Sequence, residues 1–469
     1  MKTLFLNPPS FEGFDGGAGS RYQARREIRS FWYPDWLAQA AALVADSKLV
    51  DAPPDDLTVD DVVRISADFD LAIIYTSTPS FANDSRIADL MKQRRPELLI
   101  GFVGPHVTVL PEESLRTARS ADFVARREFD YAVRDIAAGA KLSDVKGVSW
   151  RDGDWIRHNA DAELITDLDS LPFVIDVYKR DLTIENYYLG YLLHPYISLY
   201  TGRGCTRHCT FCLWPQTVSS HKFRTRSPQS VYNEFALAKD YFPQAKEFFI
   251  NDDTFTANLP RAEEIARMVR TLGIMWATNV TVDVPYDTLK VLKECGLRIL
   301  VVGYESGSDT ILRNIRKGVT TDMSRRFTRD CRDLGIDIHG CFILGLPGET
   351  RQTIQETIRF ACEIDPDMIQ VSIAAPYPGT HFYQQAIENG WLSPDDLLNS
   401  DGIQECVVHY PDLSASDITA SVDRFYRRFY TRPRVLYRIG RKMMRNPHER
   451  RRRLREGREF LGYLRQRKR

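Results

Sequence analysis

Short apolar runs alternate with helix-like segments along most of this 469-residue chain, and this alternation restricts the fold more than any other feature of the sequence. In the N-terminal third, the apolar runs include residues 71–75 and 98–103. Continuous apolar runs are typical of strands buried on both faces of a parallel sheet. Their alternation with helices predicts a doubly wound α/β domain. An Asp-Gly turn within residues 146–159 predicts a hairpin after this domain.

A second series of alternating strands and helices begins at Tyr196. Its predicted strands are 197–200, 247–250, 278–282, 299–304, 337–344 and 368–374. Six such units correspond to a partial barrel, three-quarters of the eight-unit one. We therefore expect an α/β chain with four parts, which are a Rossmann-like domain over 1–145, a hairpin and linker over 146–193, a partial (β/α)6 barrel over 194–388, and a helical, basic region over 389–469.

Three cysteines lie within eight residues of a glycine-rich loop after the first barrel strand. Their spacing is Cys205-x3-Cys209-x2-Cys212. Three thiolates can hold three irons of a [4Fe–4S] cluster and leave the fourth iron open. A structural zinc site normally has four ligands, so zinc would also need His208 or a distant cysteine. Zinc binding remains the alternative from spacing alone.

The cysteine spacing, with Phe211 directly before Cys212, resembles the signature of the radical S-adenosylmethionine enzymes. In that superfamily the open iron binds S-adenosylmethionine, and one-electron reduction yields a 5′-deoxyadenosyl radical that takes a hydrogen atom from the substrate. The resemblance implies a [4Fe–4S] cluster on Cys205, Cys209 and Cys212, with S-adenosyl-L-methionine as cofactor. It also implies a reductant such as flavodoxin or ferredoxin, and it identifies no catalytic side chain.

Polar side chains at the ends of the predicted strands are candidate cofactor contacts, because barrel enzymes place active-site groups at the carboxyl ends of strands. In relatives, serine and acidic groups at these ends contact S-adenosylmethionine. Carried over by resemblance, the candidate cofactor-binding residues are Phe211, Asp252, Asp253, Asn279, Glu305 and Ser306. For the strand-end residues the alternative role is a strand-end cap or a loop hydrogen bond.

The order of these motifs resembles the class with an N-terminal cobalamin-binding-like domain. Residues 104–106 resemble its Gly-Gly-Pro-His segment, but the D-x-H-x-x-G motif is missing from the sequence. Residues 126–130 differ from the Gly-Glu-x-Glu run that relatives often carry. These differences favour a domain that keeps the fold without the ligand over one that binds cobalamin. We expect His106 to be a packed loop histidine rather than a ligand.

Charge is distributed unevenly along the chain. Hydrophobic residues make up 43% and charged residues 27%, which excludes a largely disordered protein. The net charge is zero, but residues 431–469 contain 16 Lys or Arg and 3 Asp or Glu, a net charge of +13. This tail is either a solvated helix packed on the barrel or an amphipathic surface for anionic lipids. Nucleic acid is the third, less favoured partner, and we expect none.

No N-terminal run has the length of a secretory signal, and no run approaches the ~20 apolar residues of a membrane-spanning helix. We therefore expect a cytoplasmic protein, with peripheral contact at the inner face of the membrane through residues 431–469.

The opening residues, the loop over 201–216 and the basic tail together resemble the hopanoid-biosynthesis radical S-adenosylmethionine family of the bacteriohopanetetrol cyclitol ether branch. This resemblance implies ring contraction of a lipid-linked amino sugar, a glucosamine on a hopanoid, begun by hydrogen abstraction. One alternative is a cobalamin-dependent radical methyltransferase that acts on a hopanoid or another lipid. The other is a non-enzymatic metal-binding scaffold, from which release of 5′-deoxyadenosine would distinguish both enzymes.

Overall fold

The computed structural model describes residues 1–12, 28, 30–393, 397–398, 404–445, 450, 453–459 and 462. It contains two sheets of mainly parallel strands, both flanked by helices, and a helical C-terminal region. The predicted α/β fold is therefore confirmed. Within the described residues, no helix is long and apolar enough to cross a bilayer.

The N-terminal domain is a seven-stranded sheet with helices on both faces. Its strands are β1 (Thr3–Asn7), β2 (Ser47–Asp51), β3 (Leu71–Tyr75), β4 (Leu99–Val103), β5 (Phe123–Ala125), β6 (Val148–Asp152) and β7 (Trp155–His158). Its helices are α1 (Asp35–Ala42), α2 (Val59–Ser66), α3 (Phe81–Arg94), α4 (Pro105–Val109), α5 (Pro111–Thr117) and α6 (Asp130–Ala137), and α7 (Ile175–Asp181) follows in the linker.

The strand order is β2-β1-β3-β4-β5-β6-β7, with the first five strands parallel. The side chains of β3 alternate between two hydrophobic clusters, because successive residues of a strand point to opposite faces. Ile73 lies in the cluster that continues into the barrel, and Ile74 lies in the cluster under α2 and α3. The predicted hairpin forms, but β6 pairs with the edge of β5, so the first sheet extends into the predicted linker.

The second sheet has six parallel strands in the order β15-β14-β13-β12-β11-β8. Its strands are β8 (Tyr196–Leu199), β11 (Glu247–Ile250), β12 (Trp276–Val280), β13 (Leu297–Glu305), β14 (Asp337–Leu344) and β15 (Met368–Ile373), and the short strands β9 (Gly202–Arg203) and β10 (Arg224–Thr225) pair beside it. The helices are α8 (Pro228–Tyr241), α9 (Leu259–Arg270), α10 (Tyr286–Glu294), α11 (Asp309–Asn314), α12 (Thr321–Leu334), α13 (Arg351–Ile364), α14 (His381–Glu388), α15 (Ala415–Tyr430) and α16 (Pro433–Arg445).

Side-chain caps determine where several barrel helices begin. The side chains of Ser227, Asn258 and Thr350 accept hydrogen bonds from the first turns of α8, α9 and α13. Such a cap stabilises a helix by about 1 kcal/mol, because it pairs a backbone N–H that has no partner inside the helix. The caps place each helix start a few residues after a strand end, as a strand–helix repeat requires.

Helix α15 covers the open edge of the second sheet. The hydroxyls of Tyr426 and Tyr430 accept hydrogen bonds from the backbone N–H groups of Val371 (2.9 Å) and Ile369 (3.2 Å) in β15. Phe425 packs against Phe342 of β14, with ring centroids 5.2 Å apart. An uncovered edge strand is a site for unwanted pairing, so α15 protects the last strand of the sheet.

Candidate active site

The cysteine loop follows β8 and is held by backbone groups of its neighbours. The N–H of Thr210 donates to the carbonyl of Ile315 at 3.0 Å, and the N–H of Cys205 donates to that of Ser220 at 3.2 Å. The amide of Gln216 donates to the carbonyls of Cys209 and Cys212 at 3.2 and 2.7 Å. These contacts fix the loop backbone, so the cysteine side chains are presented from a rigid support.

Asp252, which follows β11, is hydrogen-bonded to the start of this loop. It is buried and accepts hydrogen bonds from the N–H groups of Thr201 (2.6 Å) and Gly202 (3.0 Å) and from the Thr201 hydroxyl (2.5 Å). Burial raises the pKa of Asp252 to about 6, against the opposing effects of Arg261 and these hydrogen bonds. Its carboxylate is therefore engaged by the loop backbone, and its predicted contact with the cofactor stays a prediction.

The cysteines form the donor set at the carboxyl end of β8. Cys205 and Cys209 are buried and Cys212 is half-buried, and none is in a disulfide. The described residues contain no group of three or more His, Cys, Asp or Glu placed to hold one metal ion. His208 stacks on His221, with ring centroids 4.2 Å apart. This arrangement does not support the zinc alternative.

A buried lysine lies near the thiols of Cys209 and Cys212. The Lys317 ammonium donates to the Glu305 carboxylate at 2.6 Å, and both side chains are buried. Burial raises the pKa of the Cys209 thiol, and the charge of Lys317 opposes that effect. Burial alone would lower the pKa of Lys317, but Glu305, Cys209 and Cys212 raise it above its ordinary value. Three thiols beside a fixed positive charge fit an anionic iron–sulfur cluster.

The backbone at the end of β13 brings Glu305 to this lysine. Glu305 has φ +60°, and the pairing of β13 with β14 is irregular between Gly303 and Glu305. A Cβ at Gly303 would lie 2.4 Å from Glu305 Oε1 and 2.9 Å from Lys317 Nζ. A non-glycine residue in the left-handed region is typical of functional sites. The sequence gives no signal for Lys317, because it lies between α11 and α12 rather than at a strand end.

The other predicted cofactor residues differ in position. Asn279 donates to the backbone carbonyl of Asp252 at 3.0 Å, and Asp253 accepts from the Ser219 hydroxyl at 3.2 Å, so both lie beside the loop. Phe211 is half-buried and packs on the shared core. The Ser306 hydroxyl instead lies 3.1 Å from that of Thr357 in the outer helix α13.

The Ser306 hydroxyl therefore lies at α13 in this structure, and its contact with S-adenosylmethionine stays a prediction. The chain turns after Glu305, and the Ser306 hydroxyl accepts the N–H of Ser308 at 3.2 Å, at the start of α11. This hydrogen bond also places Ser306 in the connection between β13 and α11.

The interior face of the barrel is partly open. On β14 and β15, Cys341, Ile343, Gln370 and Ser372 are half-buried, whereas the residues between them are buried. Phe342 packs against α15, so the buried series faces the helices and the half-buried series lines the interior. This lining mixes apolar and hydrogen-bonding side chains.

The N-terminal sheet presents the carboxyl ends of its strands to the cysteine end of the barrel. Helix α4, which follows β4, packs against the π-helical turn at Pro215–Ser219, directly after the cysteines. A Cβ at Gly379, after β15, would lie 2.4 Å from Val109 Cγ1 and 3.0 Å from Thr217 Cγ2. We call the carboxyl-end edge of the first sheet the ligand edge and the loop that carries Cys205, Cys209 and Cys212 the cluster loop. The ligand edge of the first domain and the cluster loop of the second are therefore adjacent.

Two buried carboxylates join the domains. Asp130 accepts two hydrogen bonds from Arg203, both 2.9 Å, and Glu128 accepts two from Arg224, at 2.7 and 2.6 Å. Arg127 has φ +60°, a conformation that favours glycine. Residues 127–130 thus keep both acidic positions of the Gly-Glu-x-Glu run, with Arg in place of Gly and Asp in place of the last Glu. The departure inferred from the sequence is smaller than expected.

The crevice between β1 and β3 is the switch point of the first sheet, where doubly wound domains bind ligands. Small hydroxyl side chains, including those of Ser77 and Ser80, occupy the loop after β3. Such side chains leave room for a bulky ring. His106, the first histidine of the chain, stacks on Phe81 at 4.4 Å, and burial lowers its pKa to about 4. The edge fits cobalamin, and His106 is packed as a loop histidine.

Comparisons with known proteins agree with this arrangement. Residues 199–361 match the radical SAM superfamily, and residues 24–137 match the B12 binding domain. An uncharacterized methyltransferase of Pyrococcus horikoshii is 30% identical over 454 residues, which cover 93% of this chain and 94% of the relative. The chain belongs to the radical S-adenosylmethionine superfamily. It is a radical S-adenosylmethionine enzyme with a B12-binding domain, and its cofactors include a [4Fe–4S] cluster and S-adenosylmethionine.

Another relative of this radical S-adenosylmethionine enzyme is the cytidylyl-2-hydroxyethylphosphonate methyltransferase of Streptomyces wedmorensis, which is 26% identical over 80% of this chain and 78% of the relative. The radical S-adenosylmethionine methyltransferase TsrM from Kitasatospora setae has a similar structure, with a TM-score of 0.64, 13% identity and coverage of 92% of this chain and 83% of TsrM. The cobalamin-dependent enzyme OxsB, solved with aqua-cobalamin and S-adenosylmethionine, has a TM-score of 0.66, 16% identity and coverage of 91% and 65%. At these identities the two structures show the shared fold. The B12-binding match weighs against the expectation of a domain without its ligand.

Proposed function

We propose that this enzyme is a cobalamin-dependent radical S-adenosylmethionine methyltransferase. The observation that carries the proposal is the contact of α4 with the π-helical turn after the cysteines. It puts the ligand edge of the B12-binding domain beside the cluster loop, as transfer of a methyl group between two cofactors and a substrate requires. The relatives named above support the same reaction class.

When bound, the reduced cluster supplies the electron that cleaves S-adenosylmethionine, and cobalamin supplies the methyl group. Cys205, Cys209 and Cys212 would hold the cluster, and the loops after β3 and β4 would hold cobalamin. Lys317 provides fixed positive charge beside the thiolates, and Asp252 fixes the loop that carries them. The paired carboxylates of Glu128 and Asp130 hold the first domain against Arg224 and Arg203 of the second.

The substrate would enter the barrel interior, whose half-buried lining includes Cys341, Ile343, Gln370 and Ser372. Ile343 offers apolar contact, and Gln370 and Ser372 offer hydrogen bonds. This lining suits a substrate that carries both hydrocarbon and hydroxyl or amide groups. A hopanoid or another polar lipid belongs to this class. Ring contraction of a lipid-linked amino sugar has no support among the relatives named above, and methyl transfer takes its place.

The test begins with the purified, cluster-reconstituted chain under anaerobic conditions. We expect it to bind aqua-cobalamin with a changed visible spectrum. With a reductant and S-adenosylmethionine labelled in its methyl group, it should form labelled methylcobalamin and release 5′-deoxyadenosine. The matched control is Cys209→Ala, which should still bind cobalamin because the cobalamin edge lies in the other domain, but should release no 5′-deoxyadenosine.

Three outcomes would overturn the proposal. A chain that releases 5′-deoxyadenosine but neither binds cobalamin nor methylates it would be a radical enzyme of another reaction class. With glucosaminyl bacteriohopanetetrol as the probe, a ring-contracted product without the label would show that the enzyme catalyses ring contraction instead of methyl transfer. A chain that forms no 5′-deoxyadenosine under any reducing condition would be the metal-binding scaffold.

A further inference from the structure

Helix α16 turns an apolar face away from the protein. Leu436 is 56% exposed, Tyr437 69% and Met444 80%. Leu436, Gly440 and Met444 are spaced four residues apart, so they lie along one side of the helix with Tyr437 beside them. An amphipathic surface helix normally turns this side to the core. Among the described residues of this helix, Val435 lies in the buried hydrophobic core and Ile439 packs against it.

Ion pairs hold α16 in this orientation. Asp365 accepts hydrogen bonds from Arg432 at 2.6 Å and from Arg438 at 3.1 Å, and Arg438 also donates to the carbonyl of Pro366 at 2.8 Å. Asp365 is buried, so these pairs are shielded from solvent. The apolar face is therefore presented outwards by a fixed helix rather than by a loose segment.

The exposed apolar side chains lie among positive charges. Arg434 and Arg441 are exposed on α16, and Arg434 also pairs with Asp365 at 3.2 Å, beside the bonds that Arg432 and Arg438 make to that carboxylate. In the helical segment 453–459, Leu454 is 51% exposed, and the Arg455 guanidinium lies over the Tyr188 ring at 4.3 Å, which holds this segment against the linker. Residues 431–469 carry a net charge of +13. Apolar side chains bordered by Arg are the pattern of a helix that lies in a membrane interface.

We propose that α16 and the basic segment after it bind the surface of an anionic lipid bilayer. Charge selects this occupant, because Lys and Arg near anionic headgroups bind them and the apolar face inserts between the lipids. A symmetric contact between two copies would bring two surfaces of the same charge together. Nucleic acid would use the arginines but leave Leu436, Tyr437 and Met444 in water.

The proposed surface lies at the far end of the barrel from the cysteine loop. Asp365 and Pro366 precede β15, so α16 is bound at the amino ends of the parallel strands. The cysteines follow the carboxyl end of β8. Membrane binding therefore anchors the enzyme without contributing to the cluster site, and the two properties can be measured separately.

The experiment measures sedimentation of the full-length holoenzyme with vesicles of phosphatidylglycerol and phosphatidylcholine. We expect binding to the mixed anionic vesicles, little binding to pure phosphatidylcholine, and loss of binding at high salt. Leu436→Gln with Met444→Gln should weaken binding about tenfold. Arg434→Gln with Arg441→Gln should weaken it about tenfold at low salt. Cluster absorbance and 5′-deoxyadenosine release should stay at the parental level in both double variants.

Matched controls separate this surface from ordinary exposed residues. Ile387 of α14 is 53% exposed, and Arg359 of α13 is exposed, so Ile387→Gln and Arg359→Gln remove the same side-chain types elsewhere. Neither control should change vesicle binding. The proposal is overturned if the α16 variants sediment like the controls or if anionic and neutral vesicles bind equally. It is also overturned if the chain binds a mixed-sequence RNA but no vesicles, or if the face mediates only self-association in sedimentation velocity.

Discussion

At the residue scale, the pair of Lys317 and Glu305 places an oriented dipole beside the cysteines. The charge of Lys317 has a larger effect on the pKa of Cys209 than that of Glu305, so the positive end faces the thiols. A positive charge stabilises the reduced, more negative cluster and raises its reduction potential. This dipole would make the cluster easier to reduce.

The first prediction removes the two charges of this dipole in two steps. Glu305→Gln leaves Lys317 uncompensated and should raise the cluster midpoint potential, whereas Glu305→Gln with Lys317→Met should lower it below the wild-type value. The expected changes are on the order of tens of millivolts. Potentiometric titration followed by electron paramagnetic resonance, without S-adenosylmethionine, measures both. Potentials that move in the same direction would show that Lys317 does not act on the cluster.

Glu349, in the loop after β14, predicts a pH dependence of stability. Burial raises its pKa to about 8, against hydrogen bonds from the backbone N–H groups of Gly345 and Leu346. The ordinary value is 4.5, so the unfolded chain loses this proton at a lower pH than the folded chain. The contribution of Glu349 to stability therefore falls as pH rises from 4.5 to about 8.

Glu349→Gln removes this titration. The stability of the variant relative to the wild type should rise with pH across that window, by about 1.4 kcal/mol per pH unit at most. Urea unfolding midpoints at several pH values between 5 and 8 measure the difference. Glu113→Gln, at an exposed position of α5, is the control and should give a constant difference over the same range. A constant difference for Glu349→Gln as well would contradict the assigned pKa.

Arg127 predicts a stabilising substitution. Its φ of +60° costs a residue with a Cβ about 1 kcal/mol, and glycine relieves that cost while adding entropy to the unfolded chain. Arg127→Gly should therefore leave stability unchanged or raise it by up to about 1 kcal/mol. Arg359→Gly, inside α13, should lower it by about 1 kcal/mol. If both substitutions destabilise equally in thermal unfolding, the backbone at 127 is not left-handed.

At the element scale, helix α6 is connected to the cluster loop through its first residue, Asp130. Asp130→Asn removes the charge that Arg203 faces in a buried setting and should destabilise the protein by about 3 kcal/mol. Glu128, 3.8 Å from Arg203, limits the loss. Asp161→Asn is the control, because Asp161 pairs with Arg126 but is itself exposed to solvent. This substitution should lower stability by less than about 1 kcal/mol. Equal losses in urea unfolding would contradict a special role for the buried pair.

Strand and helix positions were largely predictable, because apolar runs and their spacing decide them locally. The strands Glu247–Ile250 and Asp337–Leu344 occur at the predicted residues, and the predicted strand at 278–282 begins two residues earlier, at Trp276. Contacts between elements that are far apart in the sequence were harder to predict. The attachment of β6 to β5 depends on a free sheet edge, and the contact of α4 with the cysteine turn depends on the docking of two domains.

The same distinction applies to the site. The three cysteines are adjacent in sequence and were predicted as a group, whereas Lys317 reaches them only through the fold. The contact of Ser306 with Thr357 was not predicted, because strand alternation continues only to Glu305, where the positive φ turns the chain. The sequence around the buried acids at 128 and 130 looked like a departure from the Gly-Glu-x-Glu run, because Arg127 stands where the run has glycine. The left-handed backbone that Arg127 adopts is visible only in the structure.

At the scale of the whole molecule, the two domains share one hydrophobic core. It includes Tyr33, Ile73 of β3 and Phe249 of β11, and Tyr33 stacks on Tyr187 of the linker with centroids 4.1 Å apart. Because the two domains share a core and buried ion pairs, we expect them to unfold together rather than in turn. Ligand binding to one domain should then stabilise the other.

The last prediction tests this coupling with aqua-cobalamin. At a concentration of about 100 times its Kd, a ligand that binds only the folded state adds about 2.7 kcal/mol to stability. If the domains unfold together, that gain should appear in the cluster absorbance of the barrel as well as in the cobalamin spectrum. Glu128→Gln with Asp130→Asn removes both interdomain carboxylates, so cobalamin should still protect the first domain but protect the cluster less. If the wild-type cluster is lost at the same temperature with and without cobalamin, the shared core does not couple the two domains. The interface between them would then be a contact between independently stable units.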